Sequence, residues 1–442
     1  MENIFSIMPR LFTITKRWAC LLRAFMCLLA LASIATLPGC ATYSAGFAKV
    51  ESAAANRDLN GAIKSLDELK LSGPDELLHY LNKATLLSFE GNYAESNRFF
   101  ETAKQLMEKL NAISVTEQIS SIAVNDTMKA YEGLPSEQLM VYSFEALNYL
   151  QMGDLDDAAV EARQFDVKQG LIAANNKGAT YLSGAFVRYL NSMVYEAEGE
   201  KDDARIELKK ALDGYEAQDS SFPVPHALRA DLARLSAGKP AASEVVFILH
   251  NGLGASVDEA NIRVSNPAYS PGQNKNMMML SLAVPKFVKR SLPVHHVVLS
   301  ANSSSVTSEV VEDVNGIAEK SFNDRLPAII ARGVARMIAK NVVAKTAKDK
   351  AGDNLLFNLV ADIATNASER ADTRSWSLLP GNIQMARLPL PAGKYDVTAT
   401  YYGVNRNIVG MHEFKGVEVK RGRKVFVSDY YLNPPATPKS AN

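Results

Sequence analysis

Between about Asn56 and Leu235 one arrangement recurs, and it restricts the chain's architecture more than any other feature. An amphipathic stretch runs into a glycine-headed triplet, and a second amphipathic stretch follows. The triplets are Gly91-Asn92-Tyr93, Gly153-Asp154-Leu155 and Gly199-Glu200-Lys201. Seven residues before each glycine stands Ala84, Ala146 or Ser192, and five after it Ser96, Ala158 or Ala204. Small residues at these slots let two helices approach closely, and glycine supplies the left-handed conformation that ends the first of them. The pattern predicts successive helical hairpins.

These residues, with Tyr80, Tyr142, Phe100 and Leu208 in bulky slots of the same frame, resemble tetratricopeptide repeats, whose 34-residue hairpins stack on a continuous core. The spacing between the glycines, 62 and then 46 residues, departs from that period. The resemblance implies about three full hairpins and one incomplete unit over Asn56–Leu69, curved into a short solenoid with an open concave face for a protein or peptide. A generic helical bundle gives the same periodicity. Tyr142, Tyr149, Tyr181, Tyr189 and Tyr195 fall in or near that surface, and rings of this kind more often pack in a core than recognise a ligand.

Near Ser236-Ala237-Gly238-Lys239-Pro240 the composition shifts toward strands. Glu244–His250 is apolar and β-branched, and Asn251-Gly252-Leu253-Gly254 closes it as a turn. Met277–Val284 and His295–Ala301 read as further strands. Pro391 to Tyr401, Phe414 to Val419 and Arg421 to Val427 repeat a turn, an alternating strand and a Gly-basic hairpin, and this order resembles PEGA-type and carbohydrate-associated β-sandwich modules. Between the strands, about 314–371, lies a helical insert in which Pro327 suits a first-turn position and separates two helices. Ile330, Val334, Met337 and Ile338 share one arc, opposite Arg332, Arg336 and Lys340. The expected fold class is therefore multidomain α + β: a repeat-type helical solenoid over 56–238, then a β-sandwich-like domain over 239–435, and a flexible tail over 436–442.

The N-terminal 39 residues read as an export signal. Arg10, Lys16, Arg17 and Arg23 precede an uncharged run, Ala24 to Leu37, which is shorter than the roughly 20 residues a spanning helix needs. Met8 is an alternative initiator. Leu37-Pro38-Gly39-Cys40 resembles the bacterial lipobox, with proline an atypical residue at minus two. Cys20 and Cys27 belong to the leader, so Cys40 is the sole thiol of the processed chain and no disulfide can form within it. The resemblance implies diacylation of Cys40, and Ala41 in place of aspartate implies the outer membrane, on its periplasmic face. Residues 40–55 are expected to tether the anchor to the fold. Processing leaves 44 basic against 47 acidic residues, from 48 of each in the whole chain. Such a balance argues against nucleic-acid binding, which needs a basic excess.

The search for catalytic chemistry returns little. The histidines, His79, His226, His250, His295, His296 and His412, show no zinc-type spacing. His295 and His296, adjacent on an expected strand, should face opposite ways. There is no G-x-S-x-G elbow and no phosphate-binding loop. Asp154, Asp156 and Asp157 are expected at a helix start, where the dipole favours them. No catalytic residue, metal or cofactor is expected. Two clusters are candidate binding sites: Arg332 with Arg336, as a basic rail for anionic glycan or headgroups or simply a solvated face; and Arg374 with Trp376, as the cap of a groove through a cation–π contact or a core anchor.

The runs Asp324 to Arg332 and Asp372-Thr373-Arg374-Ser375-Trp376, within a span of roughly Gly91 to Tyr431, resemble an uncharacterised family of bacterial outer-membrane lipoproteins with tetratricopeptide-like repeats. Its members tend to be encoded beside the lipoprotein activator of penicillin-binding proteins, which implies an envelope role linked to cell-wall synthesis. The first expectation is a non-enzymatic scaffold that engages an envelope protein. Glycan binding or processing through the strand-rich half is the second, with peptidoglycan or another polysaccharide as the ligand. A subunit of a secretion or polysaccharide-export machine is the third.

Overall fold

The computed structural model describes residues 43–71, 73–117, 129–218, 224–265, 279–351 and 370–432. Cys40, the leader and the 436–442 tail lie outside them. The chain divides into two compact units, Met1–Gly46 and Phe47–Asn442. Of the first, only the opening turn of helix α1 (Tyr43–Ala55) is described; everything below concerns the second. The fold is mixed, with helices first and strands after.

Helix α1 occupies the segment expected to be a tether. Its Phe47, Val50 and Ala54 are fully buried, and Glu51 accepts two hydrogen bonds from Arg290 at 2.9 Å. The alanine-rich composition that suggests a linker also suits a helix whose small residues pack closely. Helix α2 (Leu59–Glu68) follows, capped by the Asp58 carboxylate on the Gly61 N–H.

Three hairpins come next: α3 (Glu76–Glu90) with α4 (Tyr93–Glu117), α5 (Pro135–Met152) with α6 (Leu155–Asn175), and α7 (Ala185–Glu198) with α8 (Lys201–Ala217). Gly91, Gly153 and Gly199 end the first helix of each pair at φ of 85°, 77° and 91°, the left-handed cap their sequence positions predict. The small slots are the contact points: Ser96 Oγ donates to the Ala84 carbonyl at 2.8 Å, and Ala146, Ala158 and Ala204 are fully or almost fully buried. Asp154 caps α6 through the Asp157 N–H. Helix α9 (His226–Ser236) completes the helical half.

The strands form two four-stranded sheets and a ribbon. In chain order they are β1 (Glu244–Asn251), β2 (Ser256–Ser265), β3 (Met279–Val288), β4 (His296–Ala301), β5 (Ser304–Thr307), β6 (Glu309–Glu312), β7 (Asn382–Pro389), β8 (Gly393–Tyr402), β9 (Ile408–Val419) and β10 (Lys424–Tyr431). The inner sheet runs β10-β1-β7-β6, the outer β5-β4-β8-β9, and β2 pairs with β3. β1 and β10 are parallel, from Glu244↔Lys424 to Asn251↔Tyr431, while the other pairings are antiparallel. The two sheets share a core of Val245, Phe247, Leu249, Val297, Leu299, Leu388, Val397, Ala399 and Tyr401.

Every residue of β1 is buried. Its odd positions enter the core between the sheets, and period-two alternation turns the even ones, Glu244, Val246, Ile248 and His250, toward the helices. There His250 stacks on Phe144 of α5 at 4.9 Å between ring centroids. The first helices of the hairpins thus form an inner layer, with the inner sheet on one side and the second helices on the other. This explains why Ala185 to Tyr195 of α7 are buried without interruption. The open concave face expected from the repeats is filled by the strand-rich half.

Helix α10 (Val314–Ala351) is the expected insert, between β6 and β7, but it runs through Pro327 without dividing into two. A proline removes one backbone hydrogen bond, which a long helix survives. Its Met337, Ile330 and Val334 pack against Leu282 and Val284 of the ribbon, confirming the apolar arc. The histidine pair differs from expectation. β4 starts at His296, so strand alternation does not govern His295, and the two Nδ1 atoms lie 3.0 Å apart.

Candidate functional site

An open cavity of about 540 Å³ lies where the helices meet the edge of the inner sheet. The α1–α2 turn brings Arg57 and Asn60, the α3–α4 turn Phe89, Glu90 and Tyr93, and the strands His250, His412, Asp429 and Tyr430. Arg57 has a left-handed backbone, φ 59°. Its guanidinium donates to both Asp429 oxygens at 3.1 Å and to the Tyr430 carbonyl at 2.8 Å, and lies 4.6 Å from the centre of the Tyr430 ring. Phe89 stacks on the same ring at 4.4 Å.

Asp429 is the hub. It also receives a hydrogen bond from the Tyr401 hydroxyl, and His412 Nδ1 stands 2.7 Å from its Oδ2. Burial alone raises the pKa of this carboxyl, but the hydrogen bonds from His412 and Arg57, and the charge of Arg57, outweigh it and hold the group below the usual aspartate range. Tyr401 moves the opposite way, raised by burial and by the adjacent Asp429 charge. Burial pushes the His250 imidazole down to about 4 against the weaker pull of Asp429, so it is neutral at pH 7.

The hydrogen bond to the Asp429 carboxylate orients the His412 ring. The ring stacks on Phe414 at 4.4 Å, which fixes its plane. The cleft thus offers an oriented imidazole, a half-exposed guanidinium and aromatic rings. This combination suits recognition of a polar ligand or partner surface by stacking, hydrogen bonding and charge. No group of three metal-ligating side chains occurs among the described residues.

The sequence-predicted residues lie elsewhere. Trp376 is 2% exposed; its Nε1 donates to Thr85 Oγ1 at 3.0 Å, its backbone N–H to Glu137 Oε1 at 2.9 Å, and its ring packs with Phe100 and Phe144. It is a core anchor that fastens the chain before β7 onto α3, α4 and α5. Arg374 binds Asp372 at 2.7 Å and Asp75 at 3.0 Å, and lies 5.7 Å from the Tyr131 ring centre rather than over the tryptophan. Arg332 is exposed but Arg336 is buried, so the two do not form one solvent-facing rail. Arg336 lies on the side of α10 opposite the apolar arc and is buried all the same, so that side is not a solvated face along its whole length. The Lys340 side chain and Cys40 lie outside what is described.

Sequence reading missed Arg57, His412 and Asp429. Their only signals are a turn arginine, a strand histidine and a strand aspartate, joined by chain crossings that no local pattern encodes. No protein-family model matches the chain, and neither does any curated protein.

Proposed function

We propose that the chain is a lipid-anchored, non-enzymatic scaffold of the bacterial envelope, held at the outer membrane through acylated Cys40, that engages an envelope protein in its polar cleft. The carrying observation is the composite wall of that cleft: Arg57 and Phe89 come from the helical half, His412 and Asp429 from the strands. A partner seated there reads the whole body rather than one repeat. The hairpins, as units of a short tetratricopeptide-like solenoid, then serve as a framework whose inner face is already occupied. No helix of the described residues is long and apolar enough to cross a membrane.

The test is site-specific photocrosslinking in cells from Glu90, on the cleft rim, together with Cys40→Ser and Arg57→Ala. A single envelope protein crosslinking from Glu90, weakened in Arg57→Ala and lost when Cys40→Ser releases the chain from the membrane, supports the reading. An unmodified Cys40 by mass spectrometry, or no crosslinked species, opposes it. A second reading, glycan binding, rests on the stacked Phe89 and Tyr430 rings beside polar groups in the same cleft. Soluble peptidoglycan fragments binding the wild-type chain but not His412→Ala would favour it.

A further inference from the structure

A second cavity lies away from the cleft, between α5, α7, the start of α10 and the β2–β3 ribbon. Its volume, about 70 Å³, is several times the roughly 10–15 Å³ that one water needs. The walls are mostly hydrocarbon and aromatic, Leu139, Met140, Val187, Phe287, Ile317 and Phe322 among them; Glu137 also lines the cavity, but its carboxylate already accepts from the Tyr131 hydroxyl and the Leu134 and Trp376 N–H groups. Into this lining the chain brings Glu312. Strand β6 carries a register shift between Val310 and Glu312, and after it two successive residues, Val311 and Glu312, are both buried. The Tyr215 hydroxyl of α8 donates to the Val311 carbonyl at 2.6 Å, which pins the chain beside Glu312.

No lysine, arginine or histidine is among the residues that line the cavity. A carboxylate cannot remain charged in such surroundings without a partner, so the group is held as the neutral acid. Burial, and secondarily the neighbouring Asp313, pushes its pKa up to about 8. A neutral carboxyl has an O–H to donate. We propose that this cavity is a binding site for a small neutral apolar molecule bearing one carbonyl acceptor, an ester or amide on a short hydrocarbon, which Glu312 receives as hydrogen-bond donor. A carboxylate ligand meets no cation there.

Trp376 lines the cavity and provides the readout. In the full chain with Trp18→Phe it is the sole tryptophan. The probes are three bromine-tipped six-carbon chains ending in a methyl ester, a carboxylate or a primary amine, because bromine quenches indole on contact. The expected result is saturable quenching by the ester and none by the carboxylate or the amine. Glu312→Gln, which keeps an N–H donor, should bind the ester within a few-fold, while Glu312→Leu loses about tenfold, the worth of one hydrogen bond. Thermal melts establish that both variants fold. Should Glu312→Leu fail to fold, the pH arm decides: ester affinity should fall as pH rises through 8, measured against Glu312→Gln to remove contributions from Asp313, Glu137, Tyr181 and Tyr215. No saturable quenching by the ester, tighter binding of the amine than of the ester, or an ester affinity indifferent to Glu312→Leu or to that pH step overturns the proposal.

Discussion

Two polar clusters join the helical half to the strands, and they are built from the same parts. In one, Arg387 of β7 pairs with Asp231 of α9 and, at 2.6 Å, with Glu244 of β1, and donates to the Tyr189 hydroxyl of α7. Lys424 of β10 extends it to Glu196 of α7 at 2.8 Å. In the other, Arg57 reaches across to Asp429, with Tyr401 and His412 completing the shell. The difference is access. The Arg387 side chain is 12% exposed, whereas Arg57 is 46% exposed and His412 38%. A sealed network can only hold the halves together, while an open one holds them and still presents charge to a partner.

Breaking the sealed cluster should have the largest effect. Arg387→Ala leaves Asp231 with Arg234 and Glu244 with Lys424 as their remaining ion-pair partners, and the cost should be about 3–5 kcal/mol in denaturant titration, the usual penalty for removing one partner of a buried ion pair. Trp376→Ala should come close, at about 3–5 kcal/mol, because it empties an aromatic site and strips Thr85 of its donor. If either change left the melt unmoved, the seam would not be what joins the halves.

Between these and the open cluster stand two buried titrating groups of opposite sign. The folded pKa of His250, about 4, lies below its unfolded value near 6.5, so the unfolded chain binds the extra proton. Its contribution is complete above pH 6.5 and is lost on acidification, by about 3 kcal/mol at pH 4. Glu312 is the reverse: its stabilising contribution is complete below the unfolded carboxyl value and vanishes as pH rises through about 8. His250→Phe should flatten the acid side of the stability profile and Glu312→Gln the alkaline side, and chemical melts from pH 4 to 9 would show a profile unchanged by either if these assignments are wrong. The smallest effect belongs to the open cluster. Arg57→Ala should cost only about 1 kcal/mol, since the arginine is half in water, yet it should lower partner capture far more than it lowers stability.

Much of the helical half was legible in the sequence, because its signals are local. Gly91, Gly153 and Gly199 mark helix ends by a backbone requirement, and the small slots mark contacts within one hairpin. The apolar arc of α10 was legible for the same reason, and so were β1, β8 and β10. The strands β2, β5, β6 and β7 were not, since their places are set by pairings in the sheets rather than by a local pattern. Residues 43–55 misled because an alanine-rich composition suits both a linker and a closely packed helix. Trp376 and Arg374 were singled out by rarity and adjacency, but whether a ring faces a groove or a core depends on what packs over it, here Phe100 and Phe144. The cleft was illegible throughout: Arg57 and Asp429 stand at opposite ends of the described chain and meet only because β10 pairs in parallel with β1.

The account depends most on the helical and strand-rich halves forming one cooperative body. Scanning calorimetry of the full chain carrying Trp18→Phe, with Trp376 emission and far-ultraviolet circular dichroism followed over the same temperatures, tests this directly. One transition with coincident midpoints in all three signals is the predicted result. Two separated transitions, with Trp376 emission shifting in the first while most helical signal persists to the second, would contradict it.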